Sequence, residues 1–133
     1  VLTMELSESV IFILYVKDQD KSREFYRKIL CNDPILDVPG MSEFELTGNS
    51  RLGLMPEQGI KTILGESVPN PENGNGIPRC EIYLYVNDPE EYLKRGLEAG
   101  AVLVSETKLR EWGDTAGYIA DQDGHIIAFA RKQ

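Results

Sequence analysis

Two segments of the chain, 70 residues apart, share one pattern of strand residues. Residues 10–18 read Val-Ile-Phe-Ile-Leu-Tyr-Val-Lys-Asp, and residues 80–88 read Cys-Glu-Ile-Tyr-Leu-Tyr-Val-Asn-Asp. The tripeptide Leu14-Tyr15-Val16 therefore recurs as Leu84-Tyr85-Val86. Both segments are rich in β-branched and aromatic residues and end at an aspartate, which is typical of a strand that leads into a helix. The repeat predicts a chain built from two copies of one folding unit.

Each segment is followed by residues with helical spacing. After Asp88, Pro89 suits the first helical position, Glu91 is placed to close a capping box, and Gly100 is a natural stop. Apolar or small residues recur at the spacing of one helical face in both halves. They are Ser22, Phe25, Tyr26, Ile29 and Leu30 in the first half and Tyr92, Leu93, Gly96 and Leu97 in the second.

Three short strands are predicted after each helix. They cover 35–38, 43–46 and 51–55 in the first half, and 101–105, 116–120 and 125–130 in the second. The turn Asp121-Gln122-Asp123-Gly124 joins the last two strands as a hairpin. We therefore predict an α+β fold in one domain, residues 1–133. A first βαβββ module spans 10–55, a polar connector rich in proline and glycine spans 56–78, and a second module spans 79–131.

Composition and charge exclude several classes of function. The 133 residues carry 22 acidic and 14 basic side chains, a net charge of −8, without a basic stripe, so we expect neither nucleic acid nor membrane as a partner. No apolar run approaches the roughly 20 residues that span a bilayer. The first residues lack the pattern of a secretory signal. With only Cys31 and Cys80 available, we expect buried, reduced thiols in a cytoplasmic protein.

Two regions of the chain resemble a known superfamily. The run Val16-x-Asp18-x-x-x-Ser22-x-x-Phe25-Tyr26 resembles the opening of the glyoxalase, bleomycin-resistance and extradiol-dioxygenase superfamily, also called vicinal oxygen chelate proteins. Glu111-Trp112-Gly113-Asp114 and Asp121-x-Asp123-Gly124-His125 resemble its closing segment, with Gln122 in place of the common proline. Cys31 stands where the family usually has glycine. The resemblance implies two βαβββ modules whose curled mixed sheets form a cleft, usually in a homodimer.

Enzymes of this superfamily hold a divalent metal through four ligand positions. The resemblance maps those positions to Ile11, Gly53, Glu81 and Ala128, and only the glutamate offers an oxygen ligand. The single histidine, His125, falls in a turn, where we expect a turn or surface role. We therefore predict no metal, no other cofactor and no catalytic residue.

Strand alternation predicts which side chains line the implied cleft. Glu81 and its neighbours two and four residues along the same strand face inward, and Trp112 lies in a loop that could close one end. The candidate ligand-binding residues are Tyr15, Met55, Glu81, Tyr83, Tyr85 and Trp112. Aromatic rings with one carboxylate suit a flat, aromatic or weakly cationic small molecule, held by stacking, cation–π contact and a charge-assisted hydrogen bond.

The sequence pattern and the family resemblance are consistent with three functions. The first is a metal-free small-molecule-binding protein that resembles the bleomycin-resistance branch, whose members sequester a drug without chemistry. The second is a lyase, isomerase or dioxygenase of the same superfamily with an atypical metal site, such as Glu81 with Glu43 or Glu45. The third is an interaction module whose own tyrosines fill the cleft. For Glu81 itself, a salt bridge to Arg79 or Arg110 is the alternative to a ligand role.

Overall fold

The protein is described by a computed structural model that covers Leu6 and residues 9–133. The elements follow the βαβββ order expected from the repeat, with one further helix between the two modules. Their bounds are β1 Val10–Val16, α1 Gln19–Leu30, β2 Leu36–Val38, β3 Met41–Glu45, β4 Ser50–Pro56, α2 Glu57–Leu64, β5 Glu81–Tyr85, α3 Pro89–Glu98, β6 Val102–Leu109, β7 Thr115–Ala120 and β8 Ile126–Arg131, with a 3₁₀ turn over Pro71–Gly74. None of the helices in this part of the chain is long and apolar enough to cross a membrane.

The strands form two four-stranded mixed sheets with the same topology. Their orders are β1-β4-β3-β2 and β5-β8-β7-β6. In each sheet the first strand pairs in parallel with the last, so that Tyr15 lies opposite Met55 and Tyr85 lies opposite Ala130. The other neighbouring strands are antiparallel, and neither sheet closes into a barrel. The predicted α+β fold of two βαβββ repeats is confirmed.

The chain divides into two compact units. Unit 1 contains the described residues up to Arg23 and the segment Asn32–Pro71, and therefore holds the first sheet and α2. Unit 2 contains Glu24–Cys31 and Glu72–Gln133, and therefore holds the second sheet and α3. Helix α1 belongs to unit 1 through Arg23 and to unit 2 from Glu24 onward.

The core of unit 2 forms where helices cover one face of the second sheet. Helix α3 packs on β7 and β8, and Ile119 and Phe129 are fully buried. Gly96 permits this close approach, because a Cβ atom built there would lie 2.5 Å from Cδ1 of Ile119. Tyr26 and Ile29 of α1 belong to the same unit and are each only 1% exposed.

The ends of α3 agree with the predicted start and stop signals. The side chain of Asp88 accepts a hydrogen bond from the backbone N–H of Glu91, with a distance of 3.2 Å, and Pro89 begins the helix. Gly100 follows the helix with a φ of +108°, a conformation that is strained for residues with a side chain. Local chemistry therefore determines where this helix begins and ends.

The sequence reading missed helix α2. Residues 56–78 were interpreted as a polar, breaker-rich connector and no helix was predicted there, but Glu57–Leu64 is helical and Ile60 on it is buried. Ile60 and Leu64 have the spacing of a helical face, and the breaker residues begin only at Gly65, whose φ is +63°. The density of breakers later in the segment concealed this short amphipathic stretch.

The expectation of buried thiols was wrong. Both Cys31 and Cys80 are free and exposed. Cys31 directly follows α1 with a φ of +52°, the left-handed conformation that ends many helices. Cys80 directly precedes β5. Both residues lie at the edges of elements, where side chains point away from the core.

Candidate ligand-binding site

A group of aromatic side chains on unit 2 is held together by one carboxylate. The hydroxyls of Tyr83 and Tyr85 both donate to Oδ2 of Asp114, at 2.8 and 2.9 Å. Nε1 of Trp112 donates to the Tyr83 hydroxyl at 2.9 Å. The two tyrosine rings meet edge to face with centroids 5.4 Å apart. We call these four residues, Tyr83, Tyr85, Trp112 and Asp114, the aromatic cluster.

Strand alternation and one tight loop bring the cluster together. Tyr83 and Tyr85 are two residues apart on β5, so their side chains lie on the same face of the sheet. Trp112 and Asp114 come from the loop between β6 and β7. The backbone N–H of Arg110 donates to the carbonyl of Asp114 at 2.8 Å and closes this loop. Gly113 takes a φ of +100° within it, a conformation that favours glycine.

The strands beside β5 supply small residues on the same face. Tyr83 lies opposite Ala128 on β8, and Ala128 lies opposite Tyr118 on β7. Tyr85 lies opposite Ala130 in the same sheet. Directly opposed residues point to the same side of a sheet. The tyrosine rings therefore stand beside fully buried alanines, whose small side chains leave room for the rings to lie against the sheet.

Glu81 lies on this face but does not form the salt bridge considered from the sequence. It is exposed, and within the described part of the chain its carboxylate has neither a hydrogen bond nor an ion pair. Arg110 instead donates to the carbonyl of Ala116 at 3.0 Å and to Oγ of Ser105 at 2.8 Å. The Glu81 carboxylate is therefore available to a ligand.

Two tyrosine rings on this sheet already carry a cation. Nζ of Lys132 lies 5.0 Å from the centroid of the Tyr85 ring, and the Arg110 guanidinium lies 5.1 Å from that of Tyr118. Both distances are within the range of cation–π attraction. The ring faces of this sheet are thus placed where positive charge is stabilised.

The environment keeps the tyrosines of this face in their neutral form. Burial, and then the hydrogen bond to Asp114, raises the pKa of Tyr83, while the hydrogen bond from Trp112 lowers it. The hydrogen bond to Asp114 is the leading cause of the raised pKa of Tyr85. Burial, followed by the charge of Glu81, raises the pKa of Tyr118. At neutral pH these side chains are therefore neutral phenols rather than phenolate bases.

The donors and acceptors that the cluster does not use internally determine which ligand groups it can bind. The O–H groups of Tyr83 and Tyr85 and the N–H of Trp112 are all donated within the cluster. Hydroxyl lone pairs and ring faces remain, because a tyrosine oxygen can accept as well as donate. The side chains of Tyr85 and Trp112 are 55% and 60% exposed. The cluster thus presents aromatic surface and hydrogen-bond acceptors, and its own donors are used internally.

The structure brings together only some of the residues predicted from the sequence. Tyr83, Tyr85 and Trp112 form the cluster, and Glu81 lies on the same face of the second sheet. Tyr15 and Met55 lie opposite each other on β1 and β4 of unit 1, and both are half-buried. Their part in a ligand site stays a prediction.

Sequence reasoning overlooked three residues near the predicted tyrosines. Asp114 was quoted only as the end of a family motif, and its hydrogen bonds could not be foreseen without the loop geometry. Tyr118 had a detectable signal, because it lies two residues after Ala116 on a predicted strand and therefore points to the same face. Lys132 had none, since its position on the Tyr85 ring depends on a flexible side chain.

The metal positions implied by the family resemblance do not fit a divalent ion. A Cβ atom built on Gly53 would lie 3.1 Å from Cγ1 of Ile13 and 3.3 Å from Sδ of Met41, so that position is packed with apolar groups. Ala128 is fully buried and has no donor atom. Ile11 likewise has none, and Glu81 alone offers oxygen ligands. Divalent cations need several such donors.

A second acidic group, at the turn before β8, has a structural explanation. Ligand atoms of Asp121, Asp123 and His125 lie within 4.8 Å of one another. However, Oδ1 of Asp121 accepts from the backbone N–H groups of Asp123 and His125, each at 2.9 Å. Its Oδ2 accepts from the hydroxyl of Tyr26 at 2.6 Å. The carboxylate therefore holds the hairpin turn, and the backbone of His125 has the turn role expected from the sequence.

A cleft of about 570 Å³ in unit 1 lies beside the start of α1. Its polar groups bond to one another: the Gln19 amide donates to the carbonyl of Val38 at 2.8 Å and accepts from the N–H of Gly40 at 2.9 Å. Arg23 pairs with Asp37 at 3.4 Å. These contacts hold the β2–β3 hairpin against α1, and we assign no ligand to this cleft.

Comparison with known proteins agrees with the fold. An uncharacterized protein of Mycobacterium bovis is 29% identical over 115 residues, which cover 84% of this chain and 75% of that protein. The structure is similar to that of a glyoxalase-related enzyme from Fulvimarina pelagi, with a TM-score of 0.80, 21% identity and coverage of 96% of this chain and 89% of the other. It is also similar to TnmS3, an antibiotic binding protein from Streptomyces sp. CB03234, with a TM-score of 0.69, 21% identity and coverage of 98% and 99%.

At these identities the structural likeness shows the fold alone. The sequence also shows the family, because residues 9–132, nearly the whole chain, match the glyoxalase-like domain family. This protein therefore belongs to the glyoxalase-like domain family.

Proposed function

We propose that this protein binds a small molecule on the aromatic cluster without metal and without chemistry, as the drug-sequestering members of its superfamily do. The observation that carries the proposal is the exposed surface of Tyr85 and Trp112. The Tyr85 hydroxyl donates to Asp114, and Nε1 of Trp112 donates to the Tyr83 hydroxyl. Exposed aromatic side chains with fixed orientation are suited to stacking against a flat ligand. The similarity in fold to an antibiotic binding protein supports this function.

The chemistry of the face favours a planar, cationic ligand. Cluster donors are satisfied internally, so a ligand that brings its own N–H groups can bond to the remaining acceptors. Glu81 offers a carboxylate on the same face, and the chain has a net charge of −8. A delocalised cation such as an amidinium combines a flat shape with N–H donors.

A binding assay with a matched pair of probes tests this proposal. Benzamidinium is a flat cation, and benzamide is a neutral molecule of nearly the same shape. Titration calorimetry should show that benzamidinium binds more tightly. Replacing Trp112 with leucine should weaken both probes, because the stacking surface is lost.

The Glu81→Gln substitution should weaken benzamidinium by about two- to fivefold, because an exposed charge pair contributes only modestly. Benzamide should be unaffected. Glu98→Gln, on an exposed position of α3, is the matched loss of one negative charge away from the face. Equal effects of the two glutamine variants would remove Glu81 from the site. Substitutions at Tyr15 and Met55 in the same assay test their predicted contacts.

A metal-dependent lyase, isomerase or dioxygenase is the competing function, since similar folds include a glyoxalase-related enzyme. Elemental analysis of the purified protein, before and after exposure to zinc, nickel, manganese and ferrous ions, separates the two functions. We expect no stoichiometric metal, because the implied positions offer one carboxylate. About one tightly held ion per chain would favour the enzyme.

We also propose that the protein forms a homodimer, as the family resemblance implies. Supporting this, β1 is an edge strand without a charged side chain, and Phe12 on it is 61% exposed. An exposed apolar edge strand is a template for pairing with another chain. Sedimentation analysis should give a dimer for the wild type and a monomer for Phe12→Lys. An unchanged dimer would move the interface away from β1.

A further inference from the structure

Lys132 occupies the part of the aromatic cluster where a cationic ligand would bind. It directly follows Arg131, the last residue of β8, and its Nζ lies 5.0 Å from the centroid of the Tyr85 ring. Among the described residues, the Lys132 ammonium contacts only the Tyr85 ring. The side chain is exposed, so it can leave the ring for solvent without unfolding any element.

The Tyr85 ring is held in place while its covering cation is not. Its hydroxyl donates to Oδ2 of Asp114, and the Tyr83 ring packs against it edge to face. A phenol that donates to a carboxylate gains electron density in its ring, which strengthens the attraction of the ring face for positive charge. Lysine side chains, in contrast, have several rotatable bonds and lose entropy when held in one position. The contact between the Lys132 ammonium and the Tyr85 ring is therefore favourable, but another group can readily replace the ammonium.

We infer that the Lys132 ammonium is a tethered competitor, which occupies the Tyr85 ring until a ligand displaces it. This inference rests on the proposed ligand-binding function. A ligand that stacks on the Tyr85 ring must first displace the ammonium, and the free energy of that displacement is the same for every such ligand. Lys132 thus lowers the affinity of all ligands that use this ring face by one common factor.

The position of Lys132 can be tested without any ligand. A proton that lies over an aromatic ring resonates upfield of its ordinary position, so the ε-methylene protons of Lys132 should be shifted upfield in the NMR spectrum. Tyr85→Leu should remove this shift, and the signals of Lys108 serve as an internal reference. An ordinary chemical shift for Lys132 in the free protein would overturn the inference. Saturation with benzamidinium should return the Lys132 signals to their ordinary position.

Binding measurements test the competition itself. Lys132→Met keeps the length of the side chain and removes its charge, so benzamidinium affinity should rise by about two- to fivefold, the size of an exposed cation–π contact. Lys132→Arg keeps a cation and should bind benzamidinium as weakly as the wild type. Arg131→Met removes a neighbouring exposed charge and should change the affinity less, because Arg131 has no ring contact with the described residues.

Each alternative result has a distinct meaning. If Lys132→Met and Arg131→Met tighten benzamidinium equally, the effect is one of net charge and the tethered competitor is refuted. If the wild type binds benzamidinium and Lys132→Met binds it no better, the competitor is also refuted while the proposed function stands. If neither protein binds benzamidinium and the Lys132 signals do not respond to it, both the proposed ligand chemistry and the inference are wrong.

Discussion

The hydroxyl of Tyr26 donates a 2.6 Å hydrogen bond to Oδ2 of Asp121, a residue 95 positions away along the chain. Both side chains are buried, with 1% and 5% of their surface exposed. Tyr26 ends the opening motif of the family resemblance, and Asp121 begins the closing one. The other carboxylate oxygen of Asp121 accepts backbone N–H groups of its own turn. The two motifs are therefore parts of one structural contact, which ties α1 to the β7–β8 hairpin within unit 2.

Tyr26→Phe should lower the free energy of unfolding by about 1–3 kcal/mol, because it leaves a buried carboxylate oxygen without its donor. Tyr92→Phe is the matched control, since the Tyr92 hydroxyl has no hydrogen bond to the described residues, and it should cost less than about 0.5 kcal/mol. Urea unfolding of the three proteins measures both values. Similar losses in the two variants would show that the Tyr26 hydrogen bond is not special.

Stability should decrease at alkaline pH through Tyr26. Burial, and then the charge of Asp121 and the hydrogen bond to it, raises the pKa of Tyr26 well above its ordinary value of 10.0. The folded state then holds the proton more tightly than the unfolded state, so the unfolded state gains on deprotonation. The contribution is fully present below about pH 10 and is lost as the pH rises toward the folded pKa.

Urea unfolding at about pH 8, 10 and 11 measures this dependence. The wild type should lose stability over the upper half of that range, and Tyr26→Phe should lose less, because it has no proton to release there. Parallel curves for the two proteins would assign the alkaline loss to other groups, such as Tyr83, Tyr85 and Tyr118, whose pKa values are also raised.

Asp114→Asn should change the titration of Tyr85 more than that of Tyr118. The hydrogen bond to Asp114 is the leading cause of the raised pKa of Tyr85, so removing the charge should lower that pKa toward its ordinary value. Burial is the leading cause for Tyr118. Resolved tyrosine signals in NMR spectra recorded across the alkaline range follow both residues. An unchanged Tyr85 titration would contradict the assigned network.

The same substitution should weaken benzamidinium by about tenfold, because the charge that supports the ring faces is lost while the shape is kept. Glu98→Gln again serves as the control for net charge. A variant that binds benzamidinium like the wild type would limit Asp114 to a structural role.

Cys31→Gly should stabilise the protein by about 0.5–1 kcal/mol. A residue with a side chain pays for the left-handed conformation, and glycine does not, although its freedom in the unfolded chain offsets part of the gain. Cys31 has a φ of +52°, and the equivalent end of α3 carries Gly100 with a φ of +108°. Cys31→Ala, which removes the thiol and keeps the Cβ atom, should give no stabilisation. Thermal unfolding compares the three proteins, and an equal gain from alanine would refute the backbone explanation.

The parts of the site that could be predicted are those set by short-range pattern. Tyr83 and Tyr85 were placed on one face because side chains alternate along a strand. Glu81 was placed on the same face for the same reason. The missed helix α2 shows the limit of such patterns. Its helical spacing covers only the eight residues Glu57–Leu64, and the glycines and prolines that follow indicated a connector instead.

The sequence by itself determined the repeat, the strand faces and the ends of α3, because these depend on side-chain spacing and capping within a few residues. Only the tertiary structure decided that Asp114 joins the two tyrosines, that Lys132 covers one ring, and that Tyr26 bonds to Asp121. Those contacts depend on strand register and loop closure, in which residues far apart in the chain meet. No local pattern encodes which of several aspartates a tyrosine hydroxyl will reach.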